Sequence, residues 1–183
     1  EKAGTVTLKN VTIYMTAKPA NSSDWDGNWV WYPENPVDDA VEQYRYFRYT
    51  FTLDDDPEYA PFQLSVDDKY ALYVNGELID ENWDAGNDSW ANVGAYDLTE
   101  KVHKGQNVIA LKCYNLVSEA GVLFDGKFTL NNQSVVIVAS GTDIVSSKTA
   151  NDETLDWTKL EYNDSGWTAV REYGQPPCSP WGP

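Results

Sequence analysis

Along most of this chain, apolar and polar positions alternate in short runs, and Gly, Asn, Asp or Pro breaks each run within a few residues. A two-residue period is the mark of half-buried β-strands. The clearest stretch is Ser65 to Ile79, SVDDKYALYVNGELI, which reads as strand, acidic break, strand, tight turn, strand. Asn75-Gly76 supplies the two positive-φ positions of a type I′ hairpin turn. Further strands are expected over Thr5 to Thr16, Arg45 to Leu53 (RYFRYTFTL) and Asn107 to Asn115 (NVIALKCYN). GVLFDGKFTL and SVVIVAS form a hairpin across Asn131-Asn132, and a last strand lies near Thr168 to Tyr173. Residues 18–43 and 81–95 interrupt the pattern as long polar loops, and no window carries a helical stripe. These features predict an all-β fold, a single jelly-roll β-sandwich over residues 1–174. Residues 175–183 form a Pro-rich tail leading toward a neighbouring domain.

A chain of 183 residues fills one domain well. Its formal charge of −16 argues against nucleic acid and anionic membrane as partners, because phosphates would be repelled. No apolar run is long enough for a transmembrane helix. The charge is compatible with neutral glycans and with cations. The first residue is Glu1, and Asn-x-Ser/Thr sequons begin at Asn10, Asn21, Asn87, Asn132 and Asn163, which together point to a secreted or extracellular protein. Cys113 shares a strand face with Ile109 and Leu111 and is expected to point inward, while Cys178 lies in the tail. Either the two pair, which would add roughly 4 kcal/mol by restricting the unfolded chain, or both remain thiols.

His103 is the only histidine and falls in an exposed turn, so neither a Ser-His nor a metal-His centre has material. Two carboxylates are enough for a glycosidase, but most acidic residues here lie in loops where water solvates them. The reading is therefore a protein that is not itself an enzyme. Asp67 and Asp68, adjacent at a strand edge, repel each other, and a cation, a polar ligand or plain solvation would account for them. Calcium prefers oxygen donors of this kind, and Asn115 could join the pair if the neighbouring strand ends converge. Sugars stack their C–H faces on indoles and need polar groups at the ring edge. Trp83 and Trp90 lie in one Gly/Asn/Asp-rich loop and Trp25 in another, where strand packing does not demand burial. Trp29 and Trp31 share one face of an extended segment and are expected in the core, as is Trp167.

In this order, NWVWYPE, FRYTFTL, SVDDKYALYVNGELI, YDLTEKVHKGQNVIALKCYN, AGVLFDGKFTL and YNDSGW resemble the galactose-binding-like β-sandwich carbohydrate-binding modules attached to α-L-rhamnosidases. The resemblance runs from about Asn28 to Trp181, and its most specific part is Asp67 to Leu78. It implies recognition of terminal rhamnose through calcium held partly by an Asp-Asn pair before the hairpin. Here that pair reads Asp67-Asp68, so the second position exchanges an amide for a carboxylate. The same resemblance implies Trp90 as the stacking indole and Asn115 as a ligand or sugar contact, with Asp24 and Trp25 in the loop beside the pocket.

The resulting expectation is a calcium-assisted carbohydrate-binding module. Asp67, Asp68 and Asn115 are its metal ligands, Asp68 and Asn115 also touch the sugar, Trp90 is the floor, and Trp83 and Trp25 are the walls. Its partners are a polysaccharide or oligosaccharide and an adjacent catalytic domain. The alternative is an ancillary, non-binding sandwich that packs on and stabilises a glycoside hydrolase.

Overall fold

The computed structural model describes residues 18–86 and 89–182. The strand expected over Thr5 to Thr16 and the sequons at Asn10 and Asn87 lie outside the described residues. In chain order the elements are β1 (Trp29–Trp31), the four-residue helix α1 (Pro36–Asp39), β2 (Gln43–Leu53), β3 (Pro57–Tyr59), β4 (Pro61–Asp67), β5 (Lys69–Val74) and β6 (Glu77–Glu81). They continue with β7 (Gly94–Asp97), β8 (Gly105–Asn115), β9 (Gly121–Leu130), β10 (Val135–Ala139), β11 (Val145–Ser147), β12 (Thr168–Ala169) and β13 (Arg171–Gly174). The strands form two antiparallel sheets. One runs β13-β1-β9-β4-β7, with β10 and β3 also paired to β9; the other runs β12-β11-β2-β8-β5-β6. This is the expected all-β sandwich.

The alternation seen in the sequence fills the space between the sheets. Phe47, Leu72, Leu111 and Cys113 from one sheet meet Trp31, Phe62, Leu64, Phe124 and Phe128 from the other in a single buried cluster. Asn75 (φ 51°) and Gly76 (φ 87°) make the left-handed β5–β6 turn, and the Asn75 side chain also accepts from the Val108 amide on β8. Both cysteines are free thiols, Cys113 buried and Cys178 partly so. Among the described residues, no helix is long and apolar enough to cross a membrane.

The outer face of the six-stranded sheet is half covered by residues 150–167, which the sequence pattern leaves as connection. Trp157 sits edge-on between Tyr46 and Tyr73, with ring centroids 5.2 and 5.6 Å away. Arg48 clamps the same segment, donating to the carbonyls of Trp157 and Lys159 and to the Asp164 carboxylate at 2.8 Å. Trp167 is only partly buried and packs on this outer cluster rather than between the sheets.

Arg45, at the start of β2, is buried with Glu34. Its Nη2 donates to Glu34 Oε2 at 2.9 Å, and Lys148 reaches the same oxygen at 2.8 Å. Burial alone would raise the Glu34 pKa, but hydrogen bonds and charge from Arg45 and Lys148 outweigh it and hold the group below its ordinary 4.5. The unfolded chain therefore takes up this proton first, and the stability Glu34 contributes, full above its unfolded pKa, is lost as pH falls through the folded value. Glu34→Gln should destabilise the chain at neutral pH by about 3 kcal/mol, because Arg45 keeps a buried, unpaired charge. It should also flatten the acid limb of stability against pH, measured by urea unfolding at a series of pH values.

Candidate functional site

Strand β4 ends in one sheet at Asp67, and β5 begins in the other at Lys69, so the acidic pair lies where the chain crosses between sheets. The rim expected from the sequence is in fact inside the molecule: Asp67 is 8% exposed and Asp68 1%. Each carboxylate has one fixed partner. The Trp181 indole N–H donates to Asp67 Oδ2 at 2.9 Å, and the Leu116 amide donates to Asp68 Oδ2 at 2.6 Å. The hydroxyl of Ser89 donates to the Asp68 and Val66 carbonyls. Burial raises the Asp67 pKa well above the usual carboxylate range. The Trp181 hydrogen bond opposes this, while the neighbouring Asp68 and Glu119 carboxylates reinforce it. The pair is short of positive charge.

Asp67 faces a cavity of about 290 Å3 whose other walls are Trp90, Val117, Ser118, Glu119, Pro180 and Trp181. Trp90 is partly buried and keeps one side against the cluster formed by Trp25, Trp29 and Trp181. Its carbonyl accepts from the Ser65 hydroxyl at 2.6 Å, which ties the loop to β4. Asn115 is fully buried beneath this corner. Its amide nitrogen donates to the carbonyls of Ser118 and Pro36, while its Oδ1 has no hydrogen-bond partner among the described residues.

The structure thus gathers Asp67, Asp68, Asn115 and Trp90 at one corner, and two expected walls are elsewhere. Trp25 is 3% exposed with its indole N–H satisfied by the Pro19 carbonyl at 3.0 Å, so it is core and presents no free face. Trp83 lies on the outer face of the six-stranded sheet, edge-on to Tyr44 at 6.2 Å, and does not line this cavity. Asp24, from the same loop as Trp25, offers its carbonyl to Lys18.

Trp181 was not foreseen. It comes from the Pro-rich tail, is 1% exposed, and stacks on Trp29 with centroids 4.1 Å apart and planes 15° from parallel. Gly121 lies beneath both rings, and a Cβ there would come within 2.4 Å of the Trp181 ring. The packed body therefore extends past residue 174 to Trp181, and the tail walls the cavity.

A calcium ion suits this corner chemically. Two buried carboxylates, an amide oxygen without a partner and the nearby Glu119 are all hard oxygen donors. Among the described residues no three His, Cys, Asp or Glu side chains converge as a metal cluster. Asp67 and Asp68 would thus need Asn115, main-chain carbonyls or a ligand's oxygens to complete a shell.

No protein-family model matches the chain. Over 163 residues it is 31% identical to an α-L-rhamnosidase from Streptomyces avermitilis, an alignment covering 85% of this chain and 15% of the relative. The crystal structure of Streptomyces avermitilis α-L-rhamnosidase complexed with L-rhamnose superposes with a TM-score of 0.78 at 27% identity, over 86% of this chain and 15% of that one. The chain resembles one domain of a rhamnosidase. A Pleurotus ostreatus lectin crystallised with GalNAc shares the fold, with a TM-score of 0.73 at 23% identity over 92% of this chain and 48% of the lectin. The resemblance read from the motifs therefore holds, and the matched segment belongs to a glycoside hydrolase. The chain spans only 15% of that enzyme's length.

Two substitutions separate the roles of Trp181. Trp181→Ala should lower the unfolding free energy by about 3 kcal/mol or more through the cavity it leaves. Trp181→Phe keeps a smaller ring on Trp29 and loses the N–H to Asp67 together with part of the packed indole, for about 2 kcal/mol or more. Urea unfolding of both variants checks this; a Phe variant as stable as the parent would show that the Asp67 hydrogen bond contributes nothing.

Proposed function

We propose that this chain is a non-catalytic carbohydrate-binding module of a secreted glycoside hydrolase, taking a neutral sugar of the rhamnose type with the help of calcium. One observation carries this reading: Asp67, one of two adjacent buried carboxylates and without a cationic partner, faces a cavity that Trp90 also lines, with Asp68 buried beside it. Asp67 and Asp68 would hold the ion, with Asn115 Oδ1 the nearest neutral oxygen in need of a partner. A bound calcium ion would neutralise the pair and offer open positions to sugar hydroxyls. Trp90 provides an apolar face for the ring's C–H groups, and the Ser118 and Glu119 side chains stand at the cavity edge for hydroxyls. Trp181 fixes one Asp67 oxygen, which leaves the other for a metal. Likeness to the rhamnosidase segment supports the choice of sugar, and the high negative charge favours neutral glycans over acidic ones.

A second reading has an observation of its own. On β10, Val135 and Ile137 are 60% and 52% exposed, an apolar edge suited to packing against a neighbouring domain. An ancillary sandwich that stabilises a hydrolase would use that edge and leave the cavity idle.

Calorimetric titration with L-rhamnose separates the two. Binding that requires calcium and disappears with chelator supports the module, and no binding in either condition leaves the ancillary role. Trp90→Ala should weaken binding by about tenfold or more while leaving thermal stability nearly unchanged, since the indole is already partly exposed. Asp67→Asn should remove the rise in melting temperature that calcium produces in the parent chain; an equal rise in parent and variant would clear Asp67 of any metal role.

A further inference from the structure

The loop that carries Trp90 to the cavity carries Trp83 to a different surface. After β6 the Asn82 amide bonds the Tyr70 carbonyl at 2.8 Å, and the chain then passes the head of β5, where the Ser89 hydroxyl bonds the Asp68 carbonyl. Trp83, at the near end of this path, stands over the outer face of the six-stranded sheet. There β2 and β8 place Tyr44 directly opposite Tyr114. The Tyr44 and Tyr114 rings lie 4.8 Å apart, and the Trp83 ring is 6.2 Å from Tyr44. Tyr44 is 42% exposed, and Tyr114 and Trp83 are partly so. The segment around Trp157 covers the rest of this face, packing on Tyr46 and Tyr73; Trp83 abuts the same cluster, and Tyr44 stays the most open of the three rings.

Polar groups are set among the rings. Lys112 Nζ lies 4.4 Å from the Tyr44 ring centre and 5.8 Å from that of Trp83, and Asp152 Oδ2 holds it at 2.7 Å. Asp152 also accepts from the Tyr46 hydroxyl at 2.9 Å. Glu81 Oε2 accepts the Trp83 indole N–H at 2.9 Å. Lys112 and Asp152 are thus paired and Glu81 is held by a neutral donor, yet Lys112 keeps hydrogen-bonding capacity and the carboxylates remain open to further donors.

We propose that this ledge of Tyr44, Tyr114 and Trp83 is a second carbohydrate-binding surface, distinct from the Asp67 cavity and independent of metal, which takes a neutral sugar ring of an oligosaccharide. The mixture of surfaces selects the occupant. An apolar protein face laid here would take Lys112, Asp152 and Glu81 out of water without giving them partners, which is costly. A pyranose meets both demands: its C–H face covers the aromatic rings while its hydroxyls bond the ammonium and carboxylates at their edges. Continuity supports the same choice, because one loop joins the ledge to the cavity proposed for sugar.

The test uses the whole chain labelled with nitrogen-15, in chelator, titrated separately with L-rhamnose and cellohexaose. The expected result is a saturable shift of the Trp83 indole N–H with at least one of the two sugars, with the Trp90 signal unmoved. Tyr44→Ala combined with Trp83→Ala should weaken this binding by about tenfold or more, and Lys112→Met, which keeps the aliphatic stem, should weaken it severalfold. Calcium-dependent rhamnose binding at the other corner should survive both changes, so failure of either site is read separately. No shift of the Trp83 signal with either sugar would overturn the proposal, as would a shift seen only when calcium is present. Sedimentation showing self-association of the parent that the double variant abolishes would make a second copy the occupant, and would equally overturn it.

Discussion

Two carboxylates lie almost out of water at the point where the chain passes from one sheet of the sandwich to the other. Like charges in that position are unfavourable both for lost hydration and for mutual repulsion, and the surrounding structure is organised around relieving this. Three segments distant in sequence each send a donor to the crossover: Ser89 from the loop after β6, the Leu116 amide from the end of β8, and the Trp181 indole from the tail. The Leu116 amide and the Trp181 indole reach the carboxylates themselves, while Ser89 ties its loop to the Val66 and Asp68 carbonyls, so the segments that wall the cavity are fixed at the crossover. Shape and charge at this corner have one origin.

The tryptophans divide according to how much of each ring the fold can cover. Trp31 is sealed between the sheets, while Trp29 and Trp181 are sealed in a separate cluster with Trp25 and Leu123, where Gly121 makes room for their contact. Trp157 is sealed differently, by a segment strapped over an outer sheet face and secured by the buried guanidinium of Arg48. Trp83 and Trp90 share a loop that spans the gap between the sheets at one end, so neither can be buried on both sides. The half-covered rings are thus products of the topology: Trp90 lines the corner where, among the described residues, two buried acids stand side by side, and Trp83 lies on the outer sheet face.

Much of the fold was legible because it rests on local rules. The Asn75-Gly76 turn fixes the register of its hairpin, and alternation along NVIALKCYN correctly sends Ile109, Leu111 and Cys113 inward. The β9–β10 hairpin turns where Asn131-Asn132 announced it. Short strands were not legible: β7 reads Gly-Ala-Tyr-Asp, too few residues to establish a period, and it pairs because β4 presents an edge to it. The strap over the outer face was hidden because Arg48 and Trp157 meet across more than a hundred residues. At the site, Asp67, Asp68 and Asn115 fall at strand ends that sequence could locate, though the burial of the acids was not legible, and Trp90 was legible through its polar loop and the family resemblance. Trp25 misled because a polar loop gives no sign of whether the body of the protein will close over it. Trp181 gave no periodic signal at all, since a run of prolines carries none.

The seat of Trp181 has a mechanical consequence. The tail after β13 is held by Gln175 on the Trp25 and Asp26 carbonyls and, at its far end, by Trp181, wedged over Gly121 and hydrogen-bonded to Asp67. A load applied to the polypeptide past Trp181 would strain that bond before it reached any β-ladder. Tension along the chain and grip at the acidic corner are thereby joined through a single indole.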